Sequence, residues 1–200
     1  MIANLSKQQK DILTGLILGD GHLEFNGCRG TRLQVKQAES RKEYVWWLFE
    51  NFRQYTKTPP QQRKDTGQWY FGTRFYEDFE EIRQNFYQDK EKIVPNNIEQ
   101  ILNSPISLAV WFMDDGHLDY RERSHHAYHI STDSFRVEDV DKLQQLLLNR
   151  FNIKAKTYLS LCRGKRYPKI YIGKEGRKTF EKTILPFILP CFRYKLPPTL

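Results

Sequence analysis

Residues 13–24, LTGLILGDGHLE, align with residues 108–119, LAVWFMDDGHLD, at a separation of 95 positions, and both copies run Asp-Gly-His-Leu into an acidic residue. A repeat at that spacing in a 200-residue chain predicts two related halves, residues 1–103 and 104–200. The segments after each copy follow one order. Residues 22–25 and 31–37 read as strands around the turn residues Asn26, Gly27 and Gly30. Residues 41–55 carry Tyr44, Trp47, Leu48 and Phe52 at helical spacing and stop before Pro59 and Pro60. A second hairpin, 61–64 and 69–73, turns at Asp65-Thr66-Gly67, and residues 75–87 close the unit as a helix with Phe75, Phe79, Ile82 and Phe86 on one face. The second copy repeats this with strands at 117–122 and 128–132, a helix at 137–151, strands at 155–161 and 169–172, and a closing helix at 179–189 broken at Pro186. The pattern predicts an α+β fold built from two αββαββα units, with residues 89–104 as connector.

The net charge of +8 points to a polyanionic partner, and the excess is uneven: residues 101–200 hold 17 Lys and Arg against 10 Asp and Glu, whereas residues 1–100 hold 15 against 14. A hydrophobic content of 39%, with Trp46, Trp47, Trp69 and Trp111 inside patterned segments, argues for a packed interior rather than a disordered chain. Cys28, Cys162 and Cys191 are odd in number and widely spaced, so neither a disulfide framework nor a zinc site is expected, and a reducing compartment fits. No run approaches the ~20 apolar residues of a membrane span. A soluble intracellular protein is expected, either organellar or from a bacterial or phage-infected cytoplasm.

The repeated motif carries the chemistry. Residues 11–18 and 107–113 are apolar enough for helices buried on most sides, with Ser104-Pro105 as a start for the second. Gly21 and Gly116 fit the left-handed turn that commonly ends a helix, which puts Asp20 and Asp115 at helix C-termini. A carboxylate there faces the negative end of the helix dipole, at a cost of ~0.3–1 kcal/mol. Packing the two helices side by side would bring the carboxylates together and worsen both positions. A divalent cation resolves the conflict, and Mg²⁺, which favours carboxylate, carbonyl and water oxygens, fits best, with Mn²⁺ able to substitute. The alternative is that both Asp-Gly pairs are exposed caps; duplication at equivalent positions favours the metal.

LTGLILGDG and LAVWFMDDG resemble the two signature helices of single-chain LAGLIDADG homing endonucleases, in particular the subgroup of the mitochondrial omega-intron enzyme. The similarity extends to Val94-Pro95-Asn96-Asn97, to Trp111-Phe112-Met113-Asp114-Asp115-Gly116 and to Tyr194-Lys195-Leu196-Pro197. It implies two such helices at the centre of a pseudo-twofold molecule, flanked by two antiparallel four-stranded sheets forming a DNA-binding saddle. It implies that Asp20 and Asp115 bind the catalytic metals, with Gly19 and Asp114 contributing through backbone carbonyls. Asp114 replaces the usual small residue and Val110 the usual glycine, which predicts a wider helix separation at Val110. Lys92 and Lys195 match active-site lysines that offset transition-state charge or order the attacking water, and Gln37 and Asp133 match polar residues that order metal-proximal waters.

A saddle of this kind is wide enough for the major groove of double-stranded DNA. Candidate contacts along the strands are Arg32, Lys36, Arg63, Arg74, Arg121, Arg123, Lys154, Lys156, Arg163, Lys165, Arg166 and Lys169. Because the halves differ, a monomer acting on an asymmetric target and leaving 3′ overhangs is expected. His125, His126 and His129 lack a further Cys or His to complete a tetrahedral set, so a strand surface or phosphate contact is favoured for them. Two other readings stay open: a maturase that binds host intron RNA, and a non-catalytic DNA-binding regulator, against which the intact acidic pair argues.

Overall fold

Every residue from Asp11 to Leu18 and from Ile106 to Asp114 is buried, and these stretches form the paired helices around which the rest is arranged. The computed structural model describes residues 4–122, 125–162 and 164–198. The first half contains α1 (Lys7–Leu18), the hairpin β1 (His22–Asn26) and β2 (Gly30–Gln37), α2 (Lys42–Phe52), the hairpin β3 (Gln61–Gln62) and β4 (Trp69–Gly72), and α3 (Glu77–Phe86). A small hairpin, β5 (Tyr87–Gln88) and β6 (Glu91–Lys92), and one turn of helix, α4 (Ile98–Ile101), lead into the second half. There α5 (Pro105–Asp115), β7 (Gly116–Arg121), β8 (His125–Ser131), α6 (Val137–Phe151), β9 (Lys156–Cys162), β10 (Lys165–Ile172) and α7 (Arg177–Ile184) repeat the order. The fold is α+β with two antiparallel four-stranded sheets, ordered β1-β2-β4-β3 and β7-β8-β10-β9.

Local chemistry explains the boundaries. Ser6 caps α1, its hydroxyl accepting from the Gln9 backbone N–H while the Gln9 side chain returns the bond to the Ser6 N–H, so the helix starts at Lys7, earlier than its apolar stretch alone predicts. Pro105 opens α5, where a missing N–H costs nothing. In β2, Thr31, Leu33, Val35 and Gln37 are buried and alternate with Arg32, Gln34 and Lys36, so one face of the sheet meets the core and the other faces solvent. β10 alternates likewise, with Pro168, Ile170 and Ile172 on the core side.

Two sequence expectations are corrected. Gly21 and Gly116 are not in the left-handed region: positive φ among the described glycines occurs at Gly30, Gly67 and Gly164, and Gly116 has φ of −78°. What position 116 requires is space, because a Cβ there would collide with the Phe112 ring; at Gly21 one would lie 2.8 Å from the Leu16 carbonyl oxygen. Second, Val110 does not face another bulky residue. Gly15 of α1 lies against it, and a methyl group at Gly15 would strike the Ser107 carbonyl oxygen and sit 2.8 Å from Val110 Cβ. One glycine accommodates the valine, and the helix backbones meet closely there. The connector carries structure of its own. It folds back through Asp89, at φ of 54°, and then packs on the second half, where Val94 N–H donates to Asp139 Oδ2 and Arg150 Nε to the Glu99 carbonyl.

The Gly15 contact predicts that Gly15→Ala costs about 2–3 kcal/mol in urea unfolding, because neither the Ser107 backbone nor the packed Val110 can yield cheaply. Gly27→Ala, with nothing within 4 Å of the added methyl, changes stability by less than about 0.5 kcal/mol. Equal effects of the two substitutions would show that the helix contact is not the tight one.

Candidate functional site

α1 and α5 end side by side, so the last carbonyls of two helices and three carboxylates share one junction. Free carbonyls at a helix C-terminus need donors, and here two lysines supply them. Lys92 Nζ, from the β5–β6 hairpin, donates to the carbonyls of Gly19 at 2.7 Å and Gly21 at 2.9 Å. Lys195 Nζ donates to the carbonyls of Met113 at 2.6 Å, Asp114 at 3.2 Å and Phe112 at 3.3 Å. Lys195 is buried, at 4% exposure, because the 3₁₀ segment Pro190–Lys195 folds back across the molecule and sets Phe192 edge-on to Tyr44 of α2. Burial, helped by neighbouring Arg41, lowers the Lys195 ammonium to about 8, and burial lowers Lys92 as well.

The carboxylates answer this charge unequally. Asp20 stands partly exposed at the mouth of the junction, where its Oδ2 accepts from Gln37 Nε2 at 3.0 Å and from Arg41 Nη1 at 3.4 Å. Asp115 closes α5; burial and repulsion from Asp20 lift it to about 7, against the pull of Lys92 and Lys195. Asp114 crosses to the other helix: its Oδ2 accepts from the Asp20 backbone N–H at 3.1 Å and its Oδ1 from Gln37 Nε2 at 3.4 Å. It packs where only a glycine fits, since a Cβ on Gly19 would lie 2.5 Å from Asp114 Cβ. Burial raises Asp114 well above the usual carboxylate range, and Asp20 and Asp115 add to the effect. The buried Tyr44 hydroxyl faces this carboxyl group.

Asp20, Asp115, Gly19, Asp114, Lys92, Lys195 and Gln37 therefore all meet at one place. Asp133 stands differently. Its side chain is half exposed and paired with Lys169 Nζ at 3.0 Å, reaching Asp115 only as a nearby charge that raises it. Gln37 and Asp133 are thus not equivalents across the repeat. Position 132, which is 95 residues after Gln37, is Thr132, and its hydroxyl donates to the Pro168 carbonyl. Nothing in the sequence pattern singles out Arg41, which holds Gln37 Oε1 at 2.9 Å while its guanidinium lies over Phe192. The same is true of Tyr44. Both approach the junction through contacts with the far end of the chain, which no local spacing reveals.

A groove of about 750 Å³ leads away from Asp20 along the solvent face of the first sheet, lined by His22, Gln34, Val35, Lys36, Arg63 and Tyr70. Arg32 shares that face, held by Glu24 at 2.8 Å, and Arg63 pairs with Asp65 at 2.7 Å. Arg74 follows β4 and is exposed. On the second sheet, strand alternation puts Arg121, Lys156, Lys165 and Lys169 on the face that carries His117, His129, Tyr158 and Tyr171. Arg166 shares its side with Pro168 and Ile170, so it stands on the opposite, helix-covered face, and Lys154 pairs with Glu175 at 3.2 Å beyond the strands. Arg123 and Arg163 lie outside the described residues. His117 and His129 stack in parallel at 4.7 Å, and His129 Nδ1 meets the Tyr158 hydroxyl at 2.8 Å, which makes an aromatic surface of the histidines. Among the described residues, no group of three or more His, Cys, Asp or Glu side chains is placed to hold a metal ion by itself, and no helix is long and apolar enough to cross a membrane.

Comparison with known proteins agrees with this geometry. The model described as the LAGLIDADG DNA endonuclease family matches residues 10–180. The cytochrome b mRNA maturase bI2 of Debaryomyces hansenii is 29% identical over 203 residues, covering 96% of this chain and 74% of that protein. The DNA endonuclease I-ChuI of Chlamydomonas applanata is 28% identical over 211 residues, covering 96% of each. The homing endonuclease I-WcaI bound to its DNA recognition sequence is similar in structure with a TM-score of 0.84, at 27% identity and coverage of 96% of this chain and 87% of that one. I-DmoI in complex with DNA and Mn shares the fold with a TM-score of 0.55, at 18% identity and coverage of 90% and 97%.

The raised Asp115 carboxyl has a consequence for metal-free stability. A carboxylate whose folded value lies above its unfolded one imposes no cost when both states are protonated, and the full cost once pH exceeds the folded value. For Asp115 the penalty grows as pH rises from about 4 towards the folded value of about 7. In chelator, Asp115→Asn is expected to be more stable than the parent at pH 8, by on the order of 1–3 kcal/mol, and equal to it near pH 4. Denaturant melts at the two pH values check this; a substitution that destabilises equally at both contradicts the crowding of charge described here.

Proposed function

The chain belongs to the LAGLIDADG DNA endonuclease family, and from that premise we propose that it is a site-specific homing endonuclease promoting intron or intein mobility. It acts on a long, asymmetric double-stranded DNA target, hydrolyses one phosphodiester bond in each strand with Mg²⁺, for which Mn²⁺ substitutes, and leaves 3′ overhangs. The observation that carries this reading is the convergence of Asp20, Asp114 and Asp115 at the paired helix ends, at the mouth of a basic, strand-floored groove. Residues 1–103 and 104–200 would each read one side of the target, and a monomer suffices because both helices come from one chain.

The donor set fits a hard divalent cation. Asp20 and Asp115 offer carboxylate oxygens, Gly19 and Asp114 offer carbonyls, and the upward shift of Asp114 and Asp115 marks a place where added positive charge is favourable. The bound metal would supply Lewis acidity and a water acidic enough to attack phosphorus near neutral pH. The chain's own residues would do the rest. Gln37, anchored by Arg41, fixes the Asp20 carboxylate. Lys92 and Lys195 hold positive charge beside the junction, where the charge of the scissile phosphates would build up. Asp133 with Lys169 would order solvent on the second side only. Lys36, Arg63, Arg121, Lys156 and Lys165 would contact phosphates or base edges from the two sheet faces. I-WcaI bound to its own DNA recognition sequence, and I-DmoI in complex with DNA and Mn, support the choice of substrate and cofactor.

One observation favours a second activity. The Debaryomyces hansenii relative is a maturase by name, so binding of host intron RNA is the alternative, tested by in vitro splicing with the intron that carries this reading frame.

On an uninterrupted allele of the host gene, Asp20→Asn and Asp115→Asn are each expected to lower Mg²⁺-dependent cleavage by at least about 100-fold while duplex binding persists. Cleavage surviving both would remove the mechanism. The unlike residues at 19 and 114 predict unequal cutting of the two strands, seen as a nicked intermediate in single-turnover assays with each strand end-labelled. Equal rates across metal concentrations would count against two dissimilar sites.

A further inference from the structure

Five hydrogen bonds from two ammonium groups terminate on carbonyls at or just past the ends of the two central helices. They come from separate parts of the chain, β6 and the C-terminal 3₁₀ segment, with Lys92 three residues before Pro95 and Lys195 two before Pro197. Lys92 occupies the Gly19 carbonyl and Lys195 the Asp114 carbonyl, the two carbonyls assigned above to the metals. An ammonium and a hard divalent cation require the same oxygen-rich, negative surroundings, yet both cannot sit within bonding distance of one oxygen without strong mutual repulsion. Neither lysine has a carboxylate within ion-pairing distance among the described residues; their direct partners are backbone oxygens, which bind a cation of either kind.

We propose that Lys92 and Lys195 are resident counter-cations, each holding one helix end in the metal-free protein and leaving its carbonyl when a divalent cation binds. The inference rests on the metal-dependent reading above and adds to it: the same two lysines stabilise the resting protein and are freed, as loading proceeds, towards the phosphates they would neutralise. Lysine therefore competes with metal, whereas a lysine with a purely structural role would be indifferent to it and one acting only on substrate would leave metal-free stability unchanged.

The test uses the whole chain without DNA. In chelator, Lys92→Met and Lys195→Met are expected to melt below the parent, and millimolar Mn²⁺ or Ca²⁺ should close at least about half of that gap, because the ion replaces the missing charge. A gap that metal leaves unchanged overturns the proposal. Should a variant fail to fold, the parent alone gives a second readout: lysine methylation followed by peptide mass spectrometry. Lys92 and Lys195 are both expected to be protected in chelator and to react at least about threefold faster in metal, with the remaining lysines unaffected. Protection that persists with metal, or loss of it at all lysines together, overturns the proposal. Metal-dependent cleavage that needs Asp20 and Asp115, combined with unchanged protection, would sink this inference and leave the endonuclease reading standing; cleavage without those aspartates would sink that reading instead.

Discussion

The rest of the structure depends on the close parallel approach of two buried helix ends that are each electrically negative. The contact at Gly15, Ser107 and Val110 brings the backbones together, and the consequence, one to two turns later, is that Asp20, Asp114 and Asp115 cannot avoid one another. A folded protein would ordinarily keep such groups apart. Here the conflict is contained by lysines on the carbonyls, by the Asp20 backbone N–H on Asp114 and by a glutamine that bridges two of the carboxylates. Charge crowding of this kind, kept in place by distant parts of the chain, is what the proposed divalent cation would relieve.

Around that centre the two halves have diverged. The first half opens a groove beside Asp20 and uses a two-residue β3, whereas the second has a long β9–β10 hairpin in a sheet whose aromatic and basic face carries His117, His129, Tyr158, Lys156 and Lys165. Gln37 with Arg41 serves one side of the junction, and Asp133 with Lys169 the other. Duplication supplied the frame, and the surfaces that would meet DNA differ in shape, charge and aromatic content. That difference is the ground on which an asymmetric target is proposed.

The repeat made the architecture legible, because the strands and helices of the two αββαββα units had counterparts about 95 residues away to check them against; α6 matches its predicted span at both ends. The pair Asp20 and Asp115 was legible for the same reason. What could not be read was anything created by contact between the halves. Asp114 looks like a departure from a small-residue pattern, and only the structure shows that it reaches the Asp20 N–H and fills the space beside Gly19. Arg41 opens the segment read as a helix without being one of its periodic apolar residues, and Tyr44 looks like one more apolar residue of a helix face. The ending of the two helices was misread locally: glycine was needed at 116 for the Phe112 ring and not for a left-handed turn, a distinction that depends on a side chain four residues earlier in the fold.

The direct test of the central claim is anomalous scattering from crystals of the protein bound to its target duplex and soaked in Mn²⁺. The predicted result is density at the α1–α5 junction, bounded by the Asp20 and Asp115 carboxylates and by the Gly19 and Asp114 carbonyls, with the Lys92 and Lys195 ammonium groups moved off those oxygens. Manganese found elsewhere, for instance at the stacked pair His117 and His129, with the lysines still on the helix carbonyls, would contradict it.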